Sequence, residues 1–271
     1  MIRVTDYNFI KMNNDNYLSF RNWQEFLEEI TDYQPKGKLI LLSGRAATYK
    51  TFFMMNAALS FAKTYHIPVA MFSMEMVNLQ IFKRLVMIDS GISRKFYENK
   101  EFTSEEENKL MESVSTISHL PIYIDDTSAL GVLELEKKCK NLCEETGVKI
   151  IFIDYLNLMK GFLPCSQRCQ MEIIKRMKKL AESLGITVFV IMRLKRDYYQ
   201  INDMFPSIPL PKDAYHIFDT SIVFQLETFS GCSFEMFDDV KLQISIKTTK
   251  EVVTSMLMND SGKMEFLQIQ R

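Results

Sequence analysis

The sequence predicts an α/β fold with a doubly wound, mostly parallel central sheet, and three observations carry that prediction. Short, nearly continuous apolar runs recur along the chain, as expected of strands covered on both faces. Amphipathic segments lie between most of them, and alternation of strand and helix is the pattern of parallel sheets. After residue 219 the helical patterns stop, and the remaining apolar segments are joined by turns, which is the pattern of antiparallel strands.

The elements follow in order. The apolar runs are "KLILLS" (38–43), "VAMFSM" (69–74), "PIYID" (121–125), "KIIFID" (149–154), "TVFVIM" (187–192) and "SIVFQL" (221–226). Helices are expected over 52–65, 77–90, 104–118, 132–146 and 170–184. The third begins "TSEEENKL", where Ser104 and Glu107 are placed to form a capping box. "VKLQISIKTT", "VVTSMLMN" and "GKMEFLQI" supply the antiparallel strands, and "NDSG" is the clearest turn between them. Ahead of the first strand, Trp23, Phe26, Leu27 and Ile30 recur at helical spacing, so a leading helix is expected to pack on the domain or on a neighbour. Residues 1–34 are therefore read as an N-terminal linker and helix segment, and 35–271 as one large domain.

Composition narrows the function classes. With 271 residues, 47% hydrophobic and 25% charged, the chain is long enough for one large core. A net charge of −1 excludes a broadly basic body, so nucleic-acid contact is expected only from local loops or a ring lumen. No signal peptide or membrane-length apolar run occurs, and a cytoplasmic location is the expectation. Five cysteines make no disulfide framework and suit a reducing compartment. Cys139 with Cys143, and Cys165 with Cys169, are spaced i,i+4; without a nearby histidine they read as buried thiols rather than a metal site.

The stretch "LLSGRAATYKTFF" (41–53) carries the chemistry. A phosphate-gripping P-loop reads G-x-x-x-x-G-K-[ST], and Gly44, Lys50 and Thr51 stand where that pattern requires them. The loop residues Gly44, Arg45, Ala46, Ala47, Thr48 and Tyr49 lie between a buried strand and a helix, where backbone N–H groups and the helix N-terminus jointly hold phosphates. Lys50 is then expected on the β- and γ-phosphates of ATP, and the Thr51 hydroxyl on Mg²⁺. Tyr49 occupies the place of the second glycine; its ring is expected to leave the loop toward solvent or a neighbouring subunit, over the nucleotide or over Arg193. Asp154 ends "KIIFID", where a carboxylate binds Mg²⁺ or orders Thr51; a plain strand-end turn residue is the alternative. Glu75 ends "VAMFSM" and suits a base that polarises water, or a simple charge at a helix start.

Five blocks, "GKLILLSGRAATYKT", "VAMFSMEM", "PIYIDDTSAL", "VKIIFIDYLNLM" and "EIIKRMKKLAESLGITVFVIMRLKR", together resemble the RecA-like motor domain of DnaB-type replicative DNA helicases, over roughly residues 20 to 268. The resemblance implies a P-loop NTPase that hydrolyses ATP with Mg²⁺ between the subunits of a hexameric ring and translocates on single-stranded DNA. By it, Lys50 and Thr51 are nucleotide-binding residues, Glu75 is the catalytic base, Asp154 is the second magnesium residue, and Lys247 reaches a neighbouring site. A primase or helicase-loader partner is implied as well. No counterpart of the helical domain that precedes this motor in those helicases is expected in this sequence.

The departures fall where hydrolysis is organised. Arg193 stands where the family carries a glutamine that senses the γ-phosphate, and Thr249 where it carries an arginine finger, with Lys250 one residue away. DNA contacts are expected in the loops 160–170 and 194–212, from Lys160, Arg168, Lys195 and Arg196, with Tyr198 and Tyr199 to stack on bases, and plain solvated polar loops are the equal alternative. Lys50, Thr51, Glu75 and Asp154 favour an active motor. Tyr49, Arg193 and Thr249 favour the alternative, a catalytically degenerate RecA-like scaffold or regulatory module in replication.

Overall fold

The computed structural model describes residues 23–31, 37–92, 102–163, 166–194, 210, 212–226, 240–247, 251–258 and 263–266. Among them nine strands form one sheet: β1 (Leu39–Gly44), β2 (Val69–Ser73), β3 (Ile122–Asp125), β4 (Ile150–Asp154), β5 (Thr187–Arg193), β6 (Thr220–Leu226), β7 (Val240–Lys247), β8 (Glu251–Met258) and β9 (Met264–Phe266). Their order is β3-β2-β4-β5-β1-β6-β7-β8-β9. The first six in that order run parallel, and β7, β8 and β9 follow antiparallel, as the two sequence patterns require.

Among the described residues six α-helices accompany them: α1 (Trp23–Thr31), α2 (Lys50–Leu59), α3 (Asn78–Ser90), α4 (Ser104–His119), α5 (Val132–Thr146) and α6 (Gln167–Leu184). The last turn of α2 widens into a π-helical turn, Ser60–Thr64. Side chains alternate across each strand with period two, so the parallel sheet builds two cores. Ile40, Leu42, Met71, Phe152, Phe189 and Phe224 face α1, α2 and α3. Leu39, Leu41, Phe72, Ile153 and Val190 face α5 and α6. Both faces being covered is the reason the strands read as unbroken apolar runs.

The leading helix belongs to the first of these cores. Phe26, Leu27 and Ile30 are buried, and the Phe26 ring meets Phe53 edge-on at 5.5 Å. Phe53 in turn meets Phe224 at 4.9 Å, so one ring ties α1, α2 and β6 together. At the amino end of the sheet, Lys178 Nζ donates to both carboxylate oxygens of Asp219, at 2.9 and 2.7 Å. Asp219 also accepts from the Leu39 backbone N–H at 2.7 Å, so the start of β1 is fixed between α6 and β6.

Several boundaries differ from expectation. The capping box of α4 sits one residue earlier than predicted. Thr103 is the N-cap and accepts from the Glu106 N–H at 3.3 Å, while Glu106 accepts from the Thr103 N–H at 2.8 Å. In "TSEEE" both frames satisfy the pattern, and threonine takes the cap because extended backbone holds to residue 103. The strand β2 ends at Ser73, which leaves Glu75 in the following bend. Cys139 is a buried free thiol, pushed upward in pKa by its burial. Cys169 is disulfide-bonded, its partner lying outside the described residues, so the thiols are not all free. The turn "NDSG" also lies outside them.

Phe53→Ala is expected to cost about 3–5 kcal/mol, since it opens a cavity between three elements. Leu133→Ala, at a side chain 65% exposed, is expected to stay within about 0.5 kcal/mol. Urea unfolding of both variants checks the pair.

Candidate nucleotide site

A cavity of about 210 Å³ opens at the carboxyl edge of the parallel strands, where β1, β4 and β5 end beside the start of α2. Ligand crevices of open α/β sheets lie at this edge. Its floor is the loop from Gly44 to Tyr49. A Cβ on Gly44 would lie 2.7 Å from Thr48 Oγ1 and 2.9 Å from the Phe224 carbonyl oxygen, so no larger residue fits. Ala47 and Tyr49 both take left-handed backbone, each with φ 59°. Tyr49, with ψ 20°, thus follows a path that glycine takes without steric cost. Tyr49 also lines the cavity, as does Arg193. The Tyr49 ring is half-buried, 6.2 Å from the Phe52 ring, and the Arg84 guanidinium stands 5.1 Å from the centre of that second ring.

The first two residues of α2 deliver the polar groups. Lys50 is buried, and its Nζ donates to the carbonyls of Gly44 at 3.0 Å and Arg45 at 2.5 Å, and to Thr48 Oγ1 at 2.9 Å. Burial lowers its pKa to about 8, with the Arg193 charge acting in the same direction and Asp154 and Glu75 opposing. Thr51 Oγ1 donates to Asp154 Oδ2 at 2.9 Å, joining the start of α2 to the end of β4. Asp154 is 1% exposed, and burial pushes its carboxyl up to about 6 against the pull of the Thr51 bond. A buried carboxylate and a hydroxyl side by side are oxygen donors of the kind a hard cation takes. These residues therefore fit Mg²⁺, and the glycine-floored loop fits phosphate.

Glu75 and Arg193 form the cavity's outer wall. Arg193 ends β5, and the Asn157 side chain clasps its backbone. Asn157 Oδ1 accepts from the Arg193 N–H at 2.8 Å, and Asn157 Nδ2 donates to the Arg193 carbonyl at 3.2 Å. The Leu194 N–H donates to the Gly44 carbonyl at 2.9 Å, continuing the register of β1 and β5. Arg193 Nη1 donates to the Tyr155 hydroxyl at 3.3 Å and stands 4.0 Å from Glu75 Oε1.

The structure thus gathers Gly44, Thr48, Tyr49, Lys50, Thr51, Glu75, Asp154 and Arg193 at one place. Phe52, Arg84, Tyr155 and Asn157 join them although sequence reasoning passed them over. Each reads in isolation as an ordinary helix or turn residue, and tertiary placement alone brings it here. Lys247 is not gathered. Its backbone pairs with Ser221 on β6, three residues before Phe224, the partner of Gly44. At about 3.3 Å per residue this is about 10 Å back toward the opposite edge of the sheet. Arg168 is exposed in the first turn of α6, and Lys160 is exposed as well. Lys195, Arg196, Tyr198, Tyr199, Thr249 and Lys250 lie outside the described residues.

Two expectations follow. Tyr49→Gly should be more stable than Tyr49→Ala by about 1 kcal/mol, because both lose the ring and only alanine keeps the left-handed cost. Equal unfolding midpoints would refute the strained loop. The second concerns Asp154, whose folded pKa of about 6 lies above its ordinary 3.8. Its protonated form adds stability that is fully present below about pH 4 and lost as pH rises through about 6. Asp154→Asn should therefore be more stable than the parent by up to about 3 kcal/mol at pH 7, with the gain disappearing near pH 4. Urea titrations across that window measure it.

Residues 23–211 match the family model of the DnaB-like helicase C terminal domain. The replicative DNA helicase DnaB of Geobacillus stearothermophilus is 31% identical over 183 residues, which cover 66% of this chain and 40% of that protein. The replicative DNA helicase DnaC of Bacillus subtilis gives the same three figures, 31% identity with 66% and 40% coverage. The chain thus spans about 40% of the length of these curated relatives. Among solved structures, an ATPase domain superposes with a TM-score of 0.75 at 22% identity, covering 91% of this chain and 89% of its own. A DnaB-like replicative helicase, solved in a study of its interactions with primase, superposes with a TM-score of 0.74 at 22% identity, covering 91% and 61%. These structures share the fold, and the match over residues 23–211 places the chain in the family of DnaB-like helicase C-terminal domains.

Proposed function

We propose that this chain is the ATP-hydrolysing motor of a replicative DNA helicase, acting in the cytoplasm as a homo-oligomeric ring, hexameric by the family pattern, that moves on single-stranded DNA. The observation that carries the reading is the buried Asp154 carboxylate bonded to Thr51, beside the Lys50 ammonium at the mouth of a glycine-floored loop. Such a set has no structural need for its charges, and it costs stability to bury them.

In this reading the loop N–H groups and Lys50 bind the β- and γ-phosphates, and Thr51 and Asp154 hold Mg²⁺. An ion held by these residues would supply positive charge against the phosphates. Glu75 accepts a proton from water as the water oxygen bonds to the γ-phosphorus. The bond from that phosphorus to the β,γ-bridging oxygen breaks, releasing ADP and phosphate. Turnover is slow, because Thr249 stands at the arginine-finger position and such an arginine is worth a factor of about 10³ to 10⁵. Lys247, set back toward the opposite sheet edge, serves the neighbouring subunit. Arg168, Lys195 and Arg196 contact the DNA backbone. A primase or a helicase loader is the class of protein partner that fits a replicative motor. No described helix is long and apolar enough to cross a membrane.

Steady-state ATP turnover with and without single-stranded DNA tests the proposal. The parent should turn over slowly and faster with DNA, and Lys50→Ala should abolish turnover. Glu75→Gln should lower it by about 10² to 10⁴ while nucleotide affinity stays within about twofold, as befits a group acting only on the attacking water. A parent that turns over no faster than Lys50→Ala would sink the motor reading in favour of a scaffold.

A further inference from the structure

Resting on the motor reading above, we infer that Asn157 is a positioning residue: its side-chain amide joins the nucleotide loop to the segment that ends at Lys160, where the DNA-contacting loop 160–170 begins, and so couples nucleotide binding to single-stranded DNA binding.

The amide takes the place of a strand. β4 ends at Asp154 and pairs with β5 only as far as Ile153 beside Val190, whereas β5 runs on to Arg193, opposite Gly44 of β1. Past that point Asn157 accepts from the Arg193 N–H at 2.8 Å and donates to the Arg193 carbonyl at 3.2 Å. An asparagine amide carries both the donor and the acceptor of a peptide unit, so one side chain completes both bonds. Both bonds are exposed, and water would satisfy the same groups nearly as well. What the clasp adds is position.

The segment it holds carries both ends of the coupling. Asp154, Asn157 and Lys160 stand three residues apart, and Asp154 accepts from Thr51 Oγ1 at 2.9 Å. Between them Leu156 and Met159 are buried in the second core. The Leu158 N–H donates to the Tyr155 carbonyl at 3.0 Å, and the Met159 N–H to the Leu156 carbonyl at 3.1 Å. Lys160 is exposed, while its N–H donates to the Leu130 carbonyl at 3.2 Å. A short bonded turn seated in a close-packed core passes a displacement along rather than absorbing it.

The other arm of the clasp reaches Lys50. The Leu194 N–H donates to the Gly44 carbonyl at 2.9 Å, and Lys50 Nζ donates to that same carbonyl at 3.0 Å. Lys50 is here turned back on its own loop, with the Arg45 carbonyl and the Thr48 hydroxyl as further acceptors. Phosphate draws the ammonium off these oxygens, and the Gly44 carbonyl then keeps the Leu194 N–H as its partner. Lys50 thus has two arrangements. The bonds through Gly44, Leu194, Arg193 and Asn157 lead from it to the segment of Asp154 and Lys160, and a two-state group biased from two sites is what coupling requires.

Fluorescence anisotropy of a labelled oligothymidylate, with and without β,γ-imido-ATP and Mg²⁺, measures the coupling in the parent, Asn157→Ala, Asn157→Asp and Asn157→Gln. In the parent the analogue should change DNA affinity by about fivefold or more, and DNA should change analogue affinity by the same factor. Asn157→Ala should bring that factor to within about twofold of one, while each ligand alone binds nearly as it does to the parent. Asn157→Asp keeps the shape and the acceptor but not the donor, and should fall between alanine and the parent. Asn157→Gln keeps the whole amide and should recover most of the factor. An amide with only a structural role would lower the unfolding midpoint of the alanine and aspartate variants and leave their factors at the parent value, which would overturn the inference. So would a parent that binds both ligands without coupling, or a glutamine variant no better than alanine. A parent that binds neither ligand would overturn the motor reading together with this one.

Discussion

The architecture turns on a carboxylate buried at the end of a parallel strand. Asp154 is 1% exposed, with Thr51 Oγ1 at 2.9 Å as its hydrogen-bond donor. A carboxyl in that position is expensive to ionise, and burial accordingly raises its pKa to about 6. The surrounding groups answer this cost. The Thr51 hydroxyl and the Lys50 and Arg84 charges lower the pKa again, and each is delivered by a helix that follows a strand ending at the same sheet edge. The sheet order places β4 between β2 and β5, so Glu75 and Arg193 arrive on either side of it. Local stability is given up here to hold these charged groups together.

The loop beneath obeys a backbone constraint rather than a side-chain one. Gly44 is fixed by contact, since its missing Cβ is the space that Thr48 and Phe224 occupy. Position 49 is fixed by conformation, at φ 59°. The first demand excludes every side chain, whereas the second only taxes one. Tyrosine at 49 is therefore tolerable, and its ring recovers part of the cost by packing against Phe52. A motif letter that changes without a change of path leaves the loop's N–H directions in place.

How much of this was legible in the sequence follows the range of the forces involved. The parallel strands were plain because burial on both faces leaves no polar alternation, and the P-loop was plain because its residues are contiguous. The α4 cap slipped by one residue because "TSEEE" offers two equivalent frames, and local spacing has no means of choosing between them. The Glu75 position shifted into a bend because Ser73 Oγ accepts from the Met76 N–H at 3.0 Å, turning the chain two residues early. The clasp of Asn157 on Arg193 spans 36 residues and uses no motif. Only the register of β4 beside β5 brings those residues together, and register between sequence-distant parallel strands leaves no local signature.

Sheet polarity also separates the two basic residues that close the list of candidate catalytic groups. Arg193 ends a strand parallel to β1, so it finishes at the phosphate edge with Gly44 as its register partner. Lys247 ends a strand antiparallel to β6, and for that reason its backbone finishes toward the amino edge, opposite Ser221. The direction in which β7 runs thus carries the Lys247 backbone away from the edge where Gly44 ends β1. The antiparallel extension thus separates the two by geometry alone: Arg193 ends at the edge where the Gly44 loop begins, and the backbone of Lys247 ends toward the amino edge.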